Sequence, residues 1–184
     1  MHNTSGFEGR DTMQRSCTNL DLNTMLKTKE HVAADPDSGK GTFETVTEWR
    51  DGAVAVTRAR SFTVETDEPA PLGGTDSAID PMELLLASLG TCLTIGWVTH
   101  ANQRGVDFRN LQITVRAPYD LRGYLGLDRA VRPGFTSLEY DVEVDSDADP
   151  AVLQEIKAAA EQGSPMLDNI RNPTPITGAV RAAG

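Results

Sequence analysis

The side chain best suited to chemistry in this sequence is Cys92, in the run Leu89-Gly90-Thr91-Cys92-Leu93-Thr94. A thiolate is a strong nucleophile and reacts readily with electrophilic oxygen or sulfur. Free cysteine is also among the residues most often buried as small hydrophobes, so Cys92 has a purely structural reading beside the chemical one. A thiol in mid-helix lies outside the reach of the N-terminal helix dipole, so its ionisation requires a nearby cation or hydrogen-bond donor. His100 follows eight residues later, roughly 12 Å along a helix axis, which excludes a Cys-His dyad on one helix. The other cysteine, Cys17, lies in a polar N-terminal stretch. It is either a distant resolving thiol or an incidental one.

The remaining chemistry-bearing residues form no recognisable metal or disulfide pattern. Two cysteines do not make a disulfide framework. No Cys-x-x-Cys occurs and His2, His31 and His100 are scattered, so no zinc site is expected. No cofactor is called for. This cysteine usage fits a cytoplasmic chain with reduced thiols. Basic residues number 17 against 27 acidic, for a net charge of −10. That balance argues against nucleic acid or an anionic membrane surface, both of which select clustered Lys and Arg. It favours a neutral or small-molecule ligand. The first thirty residues lack the apolar core of a signal peptide. The apolar stretch near Leu84 to Val98 is interrupted by Ser88, Gly90 and Thr91 and falls short of the ~20 residues of a membrane span.

The element holding Cys92 has well-marked ends. Asp80 is a good N-cap, Pro81 suits the first helical position, and Glu83 completes a capping box. The run Leu84, Leu85, Leu86, Ala87, Leu89, Leu93, Ile95, Trp97, Val98 is apolar nearly all round, which predicts burial on most sides. Gly90 and Gly96 are explained if other chain segments approach closely. Gly105 is the expected left-handed cap beyond the C-terminus.

The rest of the 184-residue chain is long enough to bury about 70% of its unfolded surface as one domain. Residues 1–40 read as a tail with an appended helix over Leu20 to Ala34, packed on the body or on a partner subunit. Residues 41–184 form the main domain. Strands are expected over Thr42 to Trp49, Ala53 to Thr57 and around Phe62 and Val64, the first two joined by a turn at Arg50-Asp51-Gly52. Two more follow the long helix, over Leu111 to Arg116 and Ser137 to Val144. Pro118 to Pro133 is a Gly- and Arg-rich loop in which Arg116, Arg122, Arg129 and Arg132 form a solvated face or an anion-attracting rim. A helix from Pro150 to Gln162, a short one opened by Ser164-Pro165, and a last strand over Ile176 to Arg181 complete the chain. Runs of strands broken by helices define an α+β fold.

The stretch from Asp80 to Cys92, DPMELLLASLGTC, resembles the central helix of the OsmC/organic hydroperoxide resistance superfamily. That pattern is a proline, one or two acids, a Leu/Ala run, and a cysteine eleven residues after the proline, the spacing of Pro81 and Cys92. Trp49-Arg50-Asp51-Gly52 resembles the family's early hairpin, and Ser164-Pro165-Met166-Leu167-Asp168-Asn169 resembles its second motif, which usually reads Cys-Pro. The resemblance implies antiparallel sheets wrapped around a long buried helix in an intertwined homodimer. It also implies a thiol-dependent peroxidase that reduces organic hydroperoxides through Cys92, assisted by an arginine and a glutamate. Arg50 is the candidate arginine, with Arg58 and Arg60 as rivals. Glu83 is the candidate acid, although it sits one position late and faces away from Cys92, which suits a capping role. Ser164 takes the place of the second, resolving cysteine and also reads as a simple N-cap. The expected partners are therefore a second copy, a small organic hydroperoxide or thiol ligand, and an external thiol reductant. The alternatives are a non-catalytic small-ligand-binding protein or a carrier of sulfur or thiol groups.

Overall fold

A computed structural model describes residues 19–182; Cys17 lies outside them. Helix α1 (Leu22–Ala34) is capped by Asp21, whose carboxylate accepts the Thr24 N–H. No residue of α1 is buried, and it makes only slight contact with the long helix.

Strands β1 (Val46–Asp51), β2 (Val54–Ala59) and β3 (Phe62–Thr66) form an antiparallel meander. The turn expected at Arg50-Asp51-Gly52 falls later, at Gly52-Ala53: Arg50 and Asp51 still belong to β1, Gly52 has φ +49°, and the register shifts between Trp49 and Asp51. The first strand starts later than its alternation predicts, and Phe43 stands wholly exposed before it. All of β1 is exposed, because the sheet has no broad contact with the helices of its own chain.

A tightly built loop ties β3 to the long helix. Asp67, 2% exposed, accepts from Glu68 N at 2.8 Å, Thr75 N at 2.9 Å, Thr75 Oγ1 at 2.6 Å, Ser77 N at 3.1 Å and Ser77 Oγ at 2.9 Å. These hydrogen bonds, led by those from Thr75 and Ser77, hold its carboxyl well below the ordinary range. A Cβ on Gly74 would lie 1.8 Å from the Glu68 carbonyl oxygen, so glycine is required there. Beyond the loop, Ile79 bridges to Thr66, and Asp80 begins α2 (Pro81–Gln103).

Helix α2 starts as its sequence dictates. Asp80 accepts from Met82 N at 2.6 Å and Glu83 N at 3.4 Å, while Glu83 accepts from Asp80 N at 3.2 Å. It ends in a Schellman turn: Val106 N–H reaches the Ala101 carbonyl, Gly105 N–H reaches that of Asn102, and Gly105 has φ +66°. Burial is narrower than the apolar composition suggests. Only Leu89, Leu93, Trp97 and Ala101 are buried, one stripe at four-residue spacing. Met82, Leu85 and Ile95 stay exposed, with Ile95 at 63%. The expectation of a helix covered on most sides is therefore corrected for the single chain: its partners lie on one side only. The span-length expectation is corrected too. The helical segment runs 23 residues and is long and apolar enough, by length and composition, to cross a membrane.

The buried stripe packs on β4 (Asn110–Arg116) and on α4 (Pro150–Gln162) and α5 (Pro165–Arg171). Strand β4 pairs in antiparallel register with β5 (Glu139–Asp145), from Asn110 opposite Asp145 to Arg116 opposite Glu139. Leu111, Ile113 and Val115 of β4 and Tyr140, Val142 and Val144 of β5 face the helices. Trp97, Ala101, Ile156 and Ala160 form one core; Leu89, Leu93 and Leu167 form another. Gly96 permits the α2–α4 approach, since a Cβ there would lie 3.1 Å from Ala160 Cβ. Gly90 has no such role, as its added Cβ would make ordinary contact with Val115.

Two further expectations change. The loop between β4 and β5 contains a short helix, α3 (Leu121–Tyr124), capped by Asp120. The last strand, over Ile176 to Arg181, is absent: residues 173–182 carry no helix or strand, and Ile176 and Val180 are almost fully exposed. Pro173 and Pro175 remove two backbone donors, and no strand of the same chain pairs with this segment.

Two stability experiments check this architecture. Gly96→Val should overpack α2 against α4 and cost about 1–3 kcal/mol in denaturant unfolding, whereas Gly90→Ala should cost much less. A carboxyl held low in the folded state contributes stability that is present above its unfolded pKa, ordinarily 3.8, and lost as pH falls through the folded value. Acid unfolding of Asp67→Asn should therefore show a shallower loss of stability below pH ~4 than the native chain.

Candidate functional site

Cys92 lies one position before Leu93 of the buried stripe, and this offset leaves it half-buried, at the margin of the α2 packing. Helix α5 docks against the same stretch through Leu167, which packs with Leu89 and Leu93. Ser164 precedes that helix as its N-cap, accepting the Leu167 N–H at 3.1 Å. The docking brings Ser164 Oγ to 3.2 Å from Cys92 Sγ, across 72 residues of sequence. Ser164 is 5% exposed. It is thus both the expected cap and the immediate neighbour of the thiol.

The other expected site residues are not gathered here. Glu83 is engaged in the capping box at the start of α2, about 14 Å along the axis from Cys92 by helix rise. Arg50 is exposed on β1, in the sheet that barely touches α2 of its own chain. Of its rivals, Arg58 pairs with Glu48 across the β1–β2 ladder and Arg60 lies over the Phe62 ring. His100 Nδ1 sits 3.1 Å from Gln103 Oε1. In the β4–β5 region, Arg116 pairs with Asp141 and Arg122 with Asp120.

Sequence reasoning missed a polar cluster beside α5. Tyr140 of β5 donates to Glu161 of α4, Lys157 donates to the same carboxylate at 2.8 Å, and the Lys157 ammonium lies over the Tyr140 ring. The hydrogen bond from Lys157, then that from Tyr140, lowers the Glu161 carboxyl pKa. Desolvation, followed by the bond to Glu161, raises that of the Tyr140 phenol. The Glu161 carbonyl accepts the Ser164 N–H at 3.3 Å, so the cluster abuts the cap. The spacing of Lys157 and Glu161 was a visible i,i+4 pair on a helix, but nothing local pointed to Tyr140.

At the other end of α2 a shallow depression of about 380 Å³ is lined by Val106, Phe108, Arg109 and Asp147 among others. It is remote from the thiol: Gly105 is thirteen residues from Cys92. No group of His, Cys, Asp and Glu among the described residues could hold a metal ion.

The fold and the placement of Cys92 can now be set beside known proteins. The family described as OsmC-like protein matches residues 74–178, and the chain belongs to that family. A comparison with curated proteins gives no match. Among solved structures, the chain is similar to an OsmC-like protein from Mycoplasma pneumoniae, at TM-score 0.63 and 13% identity, covering 73% of this chain and 90% of that one. It is also similar to an organic hydroperoxide resistance protein OsmC from Legionella pneumophila, at TM-score 0.53 and 17% identity, covering 72% and 92%. A third is an organic hydroperoxide resistance protein from Elizabethkingia anophelis with crystallant-derived thiocyanate bound, at TM-score 0.53 and 15% identity, covering 73% and 91%. At these identities the structural likeness establishes the fold.

The Cys92–Ser164 contact has a direct chemical check. In Ser164→Cys, one equivalent of a mild oxidant should join the new thiol to Cys92, seen as a linked peptide pair in a non-reducing digest. Free thiols at both positions after oxidation would contradict the geometry.

Proposed function

We propose that this chain is a one-cysteine thiol peroxidase acting on organic hydroperoxides. The observation that carries the reading is the partly buried thiol of Cys92, held at 3.2 Å from a hydroxyl at the position where the family's pattern has a second cysteine. Two of the similar structures are named as organic hydroperoxide resistance proteins, which supports this substrate class. The apolar side chains left open near the start of α2, Met82 and Leu85, favour a bulky organic group over hydrogen peroxide.

In the first step the Cys92 thiolate attacks the outer oxygen of the hydroperoxide. The O–O bond breaks, sulfur is oxidised to the sulfenic acid, and the alkoxide leaves and takes a proton to become the alcohol. Serine cannot condense with a sulfenic acid to form a disulfide. An external thiol therefore attacks sulfur, expelling water and leaving a mixed disulfide on Cys92. A second thiol restores Cys92 and carries away the external disulfide.

The active form in this reading is a homodimer. Trp49 and Phe62 on the first sheet, Ile95 on α2, and Ile176 and Val180 near the C-terminus are each more than half exposed in one chain. A second copy would cover such surfaces. It would also bring a cation to the thiolate, and Arg50 is our candidate, because its sheet is free to lie against another chain. Light scattering on the purified protein should give twice the chain mass. Arg50→Met should slow peroxide reduction at least tenfold while leaving that mass unchanged.

The reaction itself is tested by intact-mass spectrometry after one equivalent of an organic hydroperoxide, in the presence of a sulfenic-acid trap. The expected result is one adduct on the native protein and none on Cys92→Ser, with turnover when thiol is supplied. The replacement of the second cysteine by Ser164 also suits a non-catalytic binder of a small ligand, or a carrier of sulfur or thiol groups. No adduct, together with a co-purified ligand, would favour the binder; a persulfide on Cys92 would favour the carrier.

A further inference from the structure

The Ser164 hydroxyl is placed to do more than cap α5. It is buried, and its oxygen already accepts the Leu167 N–H at 3.1 Å. Its own proton therefore points elsewhere, and among the described residues the one hydrogen-bonding atom recorded for it is Cys92 Sγ at 3.2 Å. The opposite arrangement, with the thiol donating to the serine oxygen, would rest on a weak S–H donor. It would also leave a buried hydroxyl proton without an acceptor, which is costly. No buried side-chain nitrogen or oxygen among the described residues lacks a partner.

From this geometry we infer that Ser164 is a positioning residue that donates its hydroxyl proton to Cys92 and thereby favours the thiolate over the thiol. The assignment rests on the reading of Cys92 as the reactive group. A hydrogen bond to the charged form lowers a thiol's pKa, and the accepted Leu167 N–H polarises the hydroxyl further. Several charged groups of the packed elements have hydrogen-bond partners of their own. Glu161 of α4 is bound by Lys157 and Tyr140, Arg116 of β4 by Asp141 of β5, and Asp168 of α5 by Asn172. Within one chain, none of them hydrogen-bonds the sulfur. The same hydroxyl remains beside sulfur after oxidation, able to donate to the sulfenate oxygen but unable to form a disulfide. The second half of the cycle is thereby left to a thiol from outside.

The test is the pH dependence of Cys92 alkylation by iodoacetamide, followed on the Cys92 peptide by mass so that Cys17 does not contribute. No peroxide is used, so the outcome is independent of whether the chain reduces one. Ser164→Gly keeps most of the capping tendency but lacks the hydroxyl. It should slow alkylation at neutral pH roughly tenfold relative to its own rate at high pH, where the thiol is ionised in both proteins. Ser164→Thr should restore the native ratio of the two rates. A cap-only role moves stability and leaves that ratio unchanged, and equal ratios in native and Ser164→Gly proteins would overturn the assignment. If Ser164→Gly does not fold, the same comparison is made with Ser164→Ala, with the same two outcomes. A Ser164-dependent ratio with no sulfenate on peroxide treatment would retire the peroxidase reading and leave the role of Ser164 standing.

Discussion

The site depends on one packing constraint: a single stripe of α2, Leu89, Leu93, Trp97 and Ala101, must seat against α4, α5 and the β4–β5 pair. The glycine at position 96 lets α4 approach, and Leu167 anchors α5 at the thiol's level. Cys92 is one step around the helix from that stripe. It is therefore fixed by the packing without being sealed inside it. The same docking that satisfies the apolar stripe also delivers Ser164 to the sulfur.

The ends of α2 show how local chemistry sets the register of that docking. The capping box of Asp80 and Glu83 fixes where the helix begins, and the Asp67 loop fixes where its first turn lies relative to β3. A slip of one residue would rotate the helix by about 100°, burying Cys92 and exposing Leu93. Glu68 is part of the same junction; burial and the neighbouring Asp80 push its carboxyl pKa up. These acidic residues serve placement of the helix, and their clustering near its N-terminus follows from capping and dipole chemistry.

Much of this was legible in the sequence wherever the signal was local. The Asp80-Pro81-Met82-Glu83 start, the Gly105 stop, the Pro150 and Pro165 helix openings and the β4–β5 alternation all have short-range causes. The face of α2 that is buried was not legible, because an all-round apolar helix has no periodicity to read. Asp67 carried no local signal, since most of its partners lie eight and ten residues away. The last strand failed because alternation alone cannot provide a neighbour to pair with. For the site, Cys92 stood out by residue type. Ser164 was reached only through the resemblance of its segment to the family's Cys-Pro motif, because 72 residues separate the pair. Arg50 was named from its turn, and one chain leaves it on a sheet away from the thiol.

The most direct measurement is to find where an external thiol becomes attached. The native protein, given one equivalent of an organic hydroperoxide and an excess of a small monothiol, is quenched with acid and mapped by peptide mass. A mixed disulfide on the Cys92 peptide, formed only with peroxide and absent from Cys92→Ser, is the expected result. An unmodified Cys92, or a mixed disulfide confined to Cys17, would contradict the account.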